Sequence, residues 1–152
     1  MVLTNTADTA VEFAGITLTA GTEPWEFRAS AIPAGATVVV QEANRTHFRE
    51  TAYGDCKADV ATLPELEMSS DQVEVTEHGG NSLTVTNLTG ASIPVVRVFY
   101  KYYLEDMDAY VGGIAYTAKV ENLEAGASVQ ITPTHYASGS SRVVMVRTYD
   151  GQ

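Results

Sequence analysis

The side chains able to do chemistry in this chain are few, and they lie far apart. Its histidines are His47, His78 and His135, none with a second His, Cys or carboxylate at a metal-ligand spacing such as H-x-x-x-H or C-x-x-C. They predict neither a metal site nor a cofactor. Residues 133–141, PTHYASGSS, place His135 close in sequence to Ser138, Ser140 and Ser141. Acyl transfer needs a serine on a strained turn, a base in reach of it, a group that orients the base and an oxyanion hole. With no G-x-S-x-G present, Gly139-Ser140-Ser141 reads as ordinary turn chemistry. The main reading is therefore non-enzymatic, with a hydrolase using His135 and a nearby serine as an alternative.

Other reactive groups are equally isolated. Glu105, Asp106 and Asp108 form an acidic turn that lacks the ordered series of oxygen donors of a calcium loop. Cys56 is the single cysteine, so no internal disulfide forms, and its alternation with Ala58 and Val60 points it inward as a buried thiol. Lys101, between Tyr100 and Tyr102, is expected to pack its stem under aromatics while the ammonium reaches water or a carboxylate. No P-loop or G-x-G-x-x-G cradle occurs. If the protein binds a ligand, aromatic faces at strand ends are the expected contacts: Tyr103, Tyr110 and Tyr136, with His135 beside the last. Such faces suit a carbohydrate or protein partner.

Positioning these residues falls to strands. Residues 93–103, IPVVRVFYKYY, are the longest apolar-aromatic run, with Val96, Val98, Tyr100 and Tyr102 on one face. Around it run other period-two segments. Val11 and Phe13 switch phase to Ile16 and Leu18, which predicts a bulge around Gly15. Trp25, Phe27, Ala29 and Ala31 alternate with polar residues. Gly79-Gly80-Asn81 marks a hairpin between strands carrying Val73, Val75, Leu83 and Val85. Gly112-Gly113 is expected to open a strand with Ile114, Tyr116, Ala118 and Val120 inward. Residues 142–148 are apolar on both faces and predict a central strand covered on both sides. No stretch sustains a helical period with caps, although LPELEM allows one helical turn.

Together these segments predict an all-β chain, an antiparallel β-sandwich of roughly ten strands in one domain. Two related halves are also visible. Leu3-Thr4-Asn5 matches Val85-Thr86-Asn87, and residues 32–38 (IPAGATV) match residues 123–129 (LEAGASV). The halves run over about 1–42 and 83–148, with a connector over about 43–72. The second half carries nine extra residues, because the offset grows from 82 to 91.

A formal charge of -10 excludes nucleic acid as a partner, since a phosphate backbone is held by Lys and Arg. With no run of about 18 apolar residues, membrane insertion by a helix is not expected. Met1 is followed by strand-like Val2 and Leu3 with no export signal, which fits a cytoplasmic protein or a mature region whose signal has been removed.

Asn87, the run ending in FYKYY and the Leu123-Glu124-Ala125-Gly126 turn before a further strand resemble bacterial surface β-sandwich modules of the FxLYD type. The resemblance covers about the second half. This chain departs from it at residues 105–108, at Gly112-Gly113 and at Val129, where such modules place an aromatic. It implies an accessory extracellular or cell-surface module, binding or spacing in role, and carries over no functional residues. An assembly subunit that pairs edge strands, with an exchangeable first strand, is the other non-catalytic alternative.

Overall fold

The computed structural model of the chain describes residues 1–20, 23–43, 56–64 and 70–150. The chain is all-β: among the described residues there are eleven strands, two 3-10 turns and no α-helix, hence no helix long and apolar enough to cross a membrane. The strands are β1 (Val2–Thr4), β2 (Val11–Ala20), β3 (Glu23–Ile32), β4 (Thr37–Val39), β5 (Cys56–Pro64), β6 (Val73–His78), β7 (Ser82–Asn87), β8 (Ile93–Leu104), β9 (Ala109–Leu123), β10 (Ser128–Ile131) and β11 (Ser141–Tyr149). They form two compact units, one of Met1–Leu66 with Leu104–Ala115, the other of Glu67–Tyr103 with Tyr116–Gln152.

In the first unit β1 pairs antiparallel with β4, and β4 pairs in parallel with the start of β9. A second sheet has the order β3-β2-β5. Ala14 and Ile16 of β2, Trp25, Phe27, Ala29 and Ile32 of β3, and Val38 of β4 share one core. The period of two in Trp25, Phe27, Ala29 and Ala31 is that of the buried face of β3. The other unit is built alike. A sheet ordered β10-β7-β6 brings Val73, Leu83 and Val85 to a core completed by Val96, Val98 and Tyr100 of β8 and Val120 of β9. The Gly80 and Asn81 backbones, at φ 75° and 60°, close the β6–β7 hairpin as expected.

One buried asparagine organises each unit. Asn5 donates through Nδ2 to the carbonyls of Thr9, Ile32 and Pro33, and its Oδ1 accepts from the Ala7 N–H. Asn87 donates to the carbonyls of Ala91, Leu123 and Glu124, and its Oδ1 accepts from the Thr89 N–H. The backbone N–H groups of Asn5 and Asn87 in turn reach the carbonyls of Ala36 and Ala127. Position for position these are the same bonds at offsets of 82 and 91. The match extends to Ala31 and Asn122, both left-handed (φ 50° and 52°), and to hydroxyl pairs Thr4–Thr37 and Thr86–Ser128.

Three strand expectations are corrected. The irregularity in β2 lies between Val11 and Phe13, opposite β5, rather than at Gly15. Val11, Ala14 and Ile16 pack on one core and the step of three residues carries the bulge, while Phe13 lies on the other face with its ring over Gly15. β11 ends its sheet instead of lying inside it, its order being β9-β8-β11. A register shift between Val143 and Met145 puts Val143 and Val146 on the same core, with Met145 buried on the opposite face, so the strand is apolar on both faces although it lies at the end of its sheet. β9 begins at Ala109 and buries Ala115 and Val120, leaving Ile114 and Tyr116 exposed. The helical turn expected in LPELEM falls mostly outside the described residues, with Leu63 and Pro64 closing β5, and so does the Cys56 side chain.

The start of β9 makes a close backbone approach. A Cβ on Gly113 would stand 2.1 Å from the Arg28 carbonyl oxygen, and the Ala115 N–H bonds Ser30 Oγ at 3.0 Å. Only glycine permits that passage over β3. Gly113→Ala is expected to lower stability by about 2 kcal/mol or more, because a backbone carbonyl rather than a flexible side-chain tip must move. Urea unfolding of the variant against Gly79→Ala, whose added Cβ meets nothing within 4 Å, measures this. For the asparagines, Asn87→Ala strands three carbonyls and an N–H, at an expected cost of about 3 kcal/mol. Asn87→Asp should also be destabilising, since a carboxylate cannot donate to those carbonyls. Equal midpoints for Asn87→Ala and the parent protein would contradict the role assigned to this side chain.

Candidate functional site

Within the second unit, aromatic side chains from β8, β9 and the 133–141 loop meet in a ladder. Tyr116 lies 5.9 Å from Tyr100 with rings 24° apart, and 5.8 Å from Tyr102 edge-on. On its other side the His135 imidazole stacks at 4.9 Å and 27°. Tyr136 meets Tyr100 edge-to-face at 5.6 Å. Offset stacks and edge-on contacts are the arrangements that ring quadrupoles favour.

The ladder runs from a buried end to an exposed one. Tyr100 is buried and donates its hydroxyl to the Thr134 carbonyl, which ties the loop to β8. Burial, and then the neighbouring Tyr102 and Tyr116, raise its pKa. Tyr136 is 4% exposed, correcting the expectation of a solvent-facing ring. Burial first, then the Glu77 carboxylate and the hydrogen bond to it, push the Tyr136 phenol up to about 12. Glu77 also accepts from the Val143 N–H at 2.9 Å, so one carboxylate anchors the loop and β11. At the other end Tyr116 is 39% exposed and His135, held at φ 65°, is exposed as well.

These two rings border an open groove of about 340 Å³, lined also by Thr117, Lys119, Thr132 and Thr134. Lys119 is paired with Glu121, whose carboxyl this bond holds below its ordinary range. The groove thus offers flat aromatic surface, hydroxyls and one cation, a set that grips planar or sugar-like faces by stacking and hydrogen bonding.

Of the four residues expected to contact ligand, His135 lies on this groove and Tyr136 supports it from the core. Tyr103 is half-buried under the Arg142 guanidinium, 3.4 Å from its ring centroid. Tyr110 belongs to the first unit and packs against its core. Tyr116 was not among the expected contacts, because its alternation with Ala118 and Val120 turned it inward; it does share their side of β9 and stacks on Tyr100, but it is 39% exposed.

The serines near His135 are held in turns. Ser138 donates to the His78 carbonyl and accepts from the Asn81 N–H, while Ser141 Oγ accepts from the Ala137 N–H. Among the described residues no three His, Cys, Asp or Glu side chains converge, and residues 105–108 form an exposed 3-10 turn closed by Asp108 in the left-handed region. Comparison with protein-family models, curated proteins and solved structures returned no match.

Lys101 lies beside the ladder on β8 and is 2% exposed, so its ammonium does not reach bulk water. Desolvation lowers its pKa from 10.5 to about 8. The sign is that of a charge disfavoured by folding. Below pH 8 both states are protonated and the folded state bears the penalty. As pH rises from about 8 to 10.5 the folded lysine is neutral while the unfolded one still binds a proton, so stability rises. The parent protein should gain up to about 3 kcal/mol over that window relative to Lys101→Met, read by urea unfolding at steps between pH 7 and 10. Parallel pH profiles for the two proteins would contradict it.

Proposed function

We propose that this chain is a non-catalytic β-sandwich module of two related halves, from a bacterial surface or secreted protein, and that its second half binds a carbohydrate or peptide ligand. The observation that carries the binding role is the exposed Tyr116–His135 stack at the mouth of the threonine-lined groove. An exposed, preformed pair of flat rings is a binding surface of low conformational-entropy cost, because both rings are already held by their neighbours. The matched asparagine bonds support two related halves. In each, two sheets share one core, the arrangement of a sandwich. The FxLYD-type resemblance supports the extracellular setting, and a formal charge of -10 suits a soluble protein exposed to many partners.

A panel of oligosaccharides and short peptides, titrated against the labelled protein, tests the reading by chemical-shift changes. A genuine ligand should shift Tyr116, Thr117 and His135 and lose about tenfold or more in affinity on Tyr116→Ala. His135→Ala should weaken it as well, whereas Leu88→Ala, an exposed side chain outside the groove, should leave it unchanged. Ligands that bind with equal affinity to the Tyr116→Ala and parent proteins would place the site elsewhere.

A further inference from the structure

The two units differ in one strand, and the difference leaves an edge open. In the second unit β7 lies between β10 and β6, with Val73 opposite Asn87, Glu74 opposite Thr86 and Val75 opposite Val85. β6 puts Val73, and more peripherally Val75, into the core. In the first unit the asparagine bonds make β1 the counterpart of β7 and β4 the counterpart of β10. Beyond β1, where β6 stands beside β7, the sheet has no strand among the described residues.

The consequences are visible in burial and in backbone direction. Val85 is fully buried, while its counterpart Leu3 is half-buried and Val2 is 62% exposed. Among the described residues the first core draws on β1–β4, the turn before β4, the residue after it and Tyr110, and none of them fills the places of Val73 and Val75. Met1 and Val40 exchange backbone bonds, and Asn5 N–H reaches Ala36, so the odd residues of β1 face β4. By the alternation of an antiparallel ladder, Val2 and Thr4 turn their N–H and C=O groups to the open side. Thr6 occupies the place of Leu88, whose N–H bonds the Gln72 carbonyl at the start of β6. An edge whose donors and acceptors have no partner among the described residues, beside the half-buried Leu3, is a template for an added strand.

We propose that this edge docks an extended segment of another polypeptide, taken up antiparallel to β1 with valine-like residues at two alternate positions, opposite Asn5 and Leu3. β6 defines that chemistry within the same molecule: a V-x-V pattern inward, with polar residues outward. The two inward side chains complete the core and the backbone extends the ladder, the mode of strand addition in which main-chain bonds give affinity and alternate pockets give selectivity. The inference rests on the correspondence of the two halves and not on the Tyr116–His135 groove, so it fails or stands apart from ligand binding there.

The probe is a synthetic peptide with the sequence of residues 71–78, DQVEVTEH, blocked at both ends and titrated into the full isotope-labelled chain. Saturable binding that shifts the amides of Val2, Thr4 and Thr6 and slows their hydrogen exchange is the expected result. A peptide with both valines changed to lysine should not bind. Thr4→Pro should abolish binding without unfolding the protein, because the N–H it removes faces the open edge and not β4. No saturable shift at millimolar peptide would overturn the proposal, as would equal binding to Thr4→Pro or shifts confined to residues 82–87 through exchange with the resident β6. Protection of the same three amides in the free monomer would assign the edge to another segment of this chain. Protection that appears only with a concentration-dependent dimer would assign it to a second copy. Either result overturns a foreign strand as the occupant.

Discussion

The structure depends on one requirement, that carbonyls turned inward at a strand crossing must find donors. At the end of β3 the chain passes through a left-handed Ala31, and at the end of β9 through a left-handed Asn122. Each passage aims two successive carbonyls, Ile32 and Pro33 or Leu123 and Glu124, at the interior. A primary amide supplies two protons and can also accept, so a single asparagine satisfies both carbonyls, a third across the next loop, and the N–H of its own turn. Aspartate lacks the protons and glutamine sets the amide one methylene further out. The same solution in both units locks a strand, β1 or β7, to the turn two strands later, which is what allows two sheets to close on one core.

Around that clasp the aromatic chemistry is distributed unevenly. The first core uses Trp25 and Phe27 as apolar bulk. The second uses tyrosines, whose rings pack while their hydroxyls reach out of the core: Tyr100 to the Thr134 carbonyl and Tyr136 to Glu77. These bonds hold the 133–141 loop in a shape its own sequence, rich in small and polar residues, would not maintain. They thereby fix His135 against Tyr116. The groove's rigidity is thus a property of the buried rings behind it, and the exposed pair inherits its orientation from them.

The two units also manage their sheet edges differently. β7 is covered on both sides, by β6 and β10, whereas among the described residues β1 is covered on one. In the first unit the additional strand is instead the start of β9, parallel to β4 through Val38–Tyr110 and Val39–Val111. Gly113 allows that strand to lie against the Arg28 carbonyl. Two units with the same clasp thus carry different edges, and edges are where β-proteins meet other chains.

The residue pattern alone determined that the chain is all-β and which faces of most strands are buried. A period of two in Trp25, Phe27, Ala29 and Ala31, or in Val96, Val98 and Tyr100, depends only on side-chain alternation along a strand. The paired LTN and AGA segments likewise mark the two asparagine clasps and their turns. What local pattern could not decide was phase across a bulge or a close crossing. The register shift opposite β8 puts Val143 and Val146 on one core with Met145 buried on the other face, and Ala115 is buried where Gly113 lies against β3. Both are set by the neighbouring strand, and at the bulge one extra residue turns every later side chain to the opposite face. The meeting of Tyr116 with His135, nineteen positions apart in the chain, is made by the packing of the 133–141 loop against β8 and β9 and was beyond the reach of spacing alone.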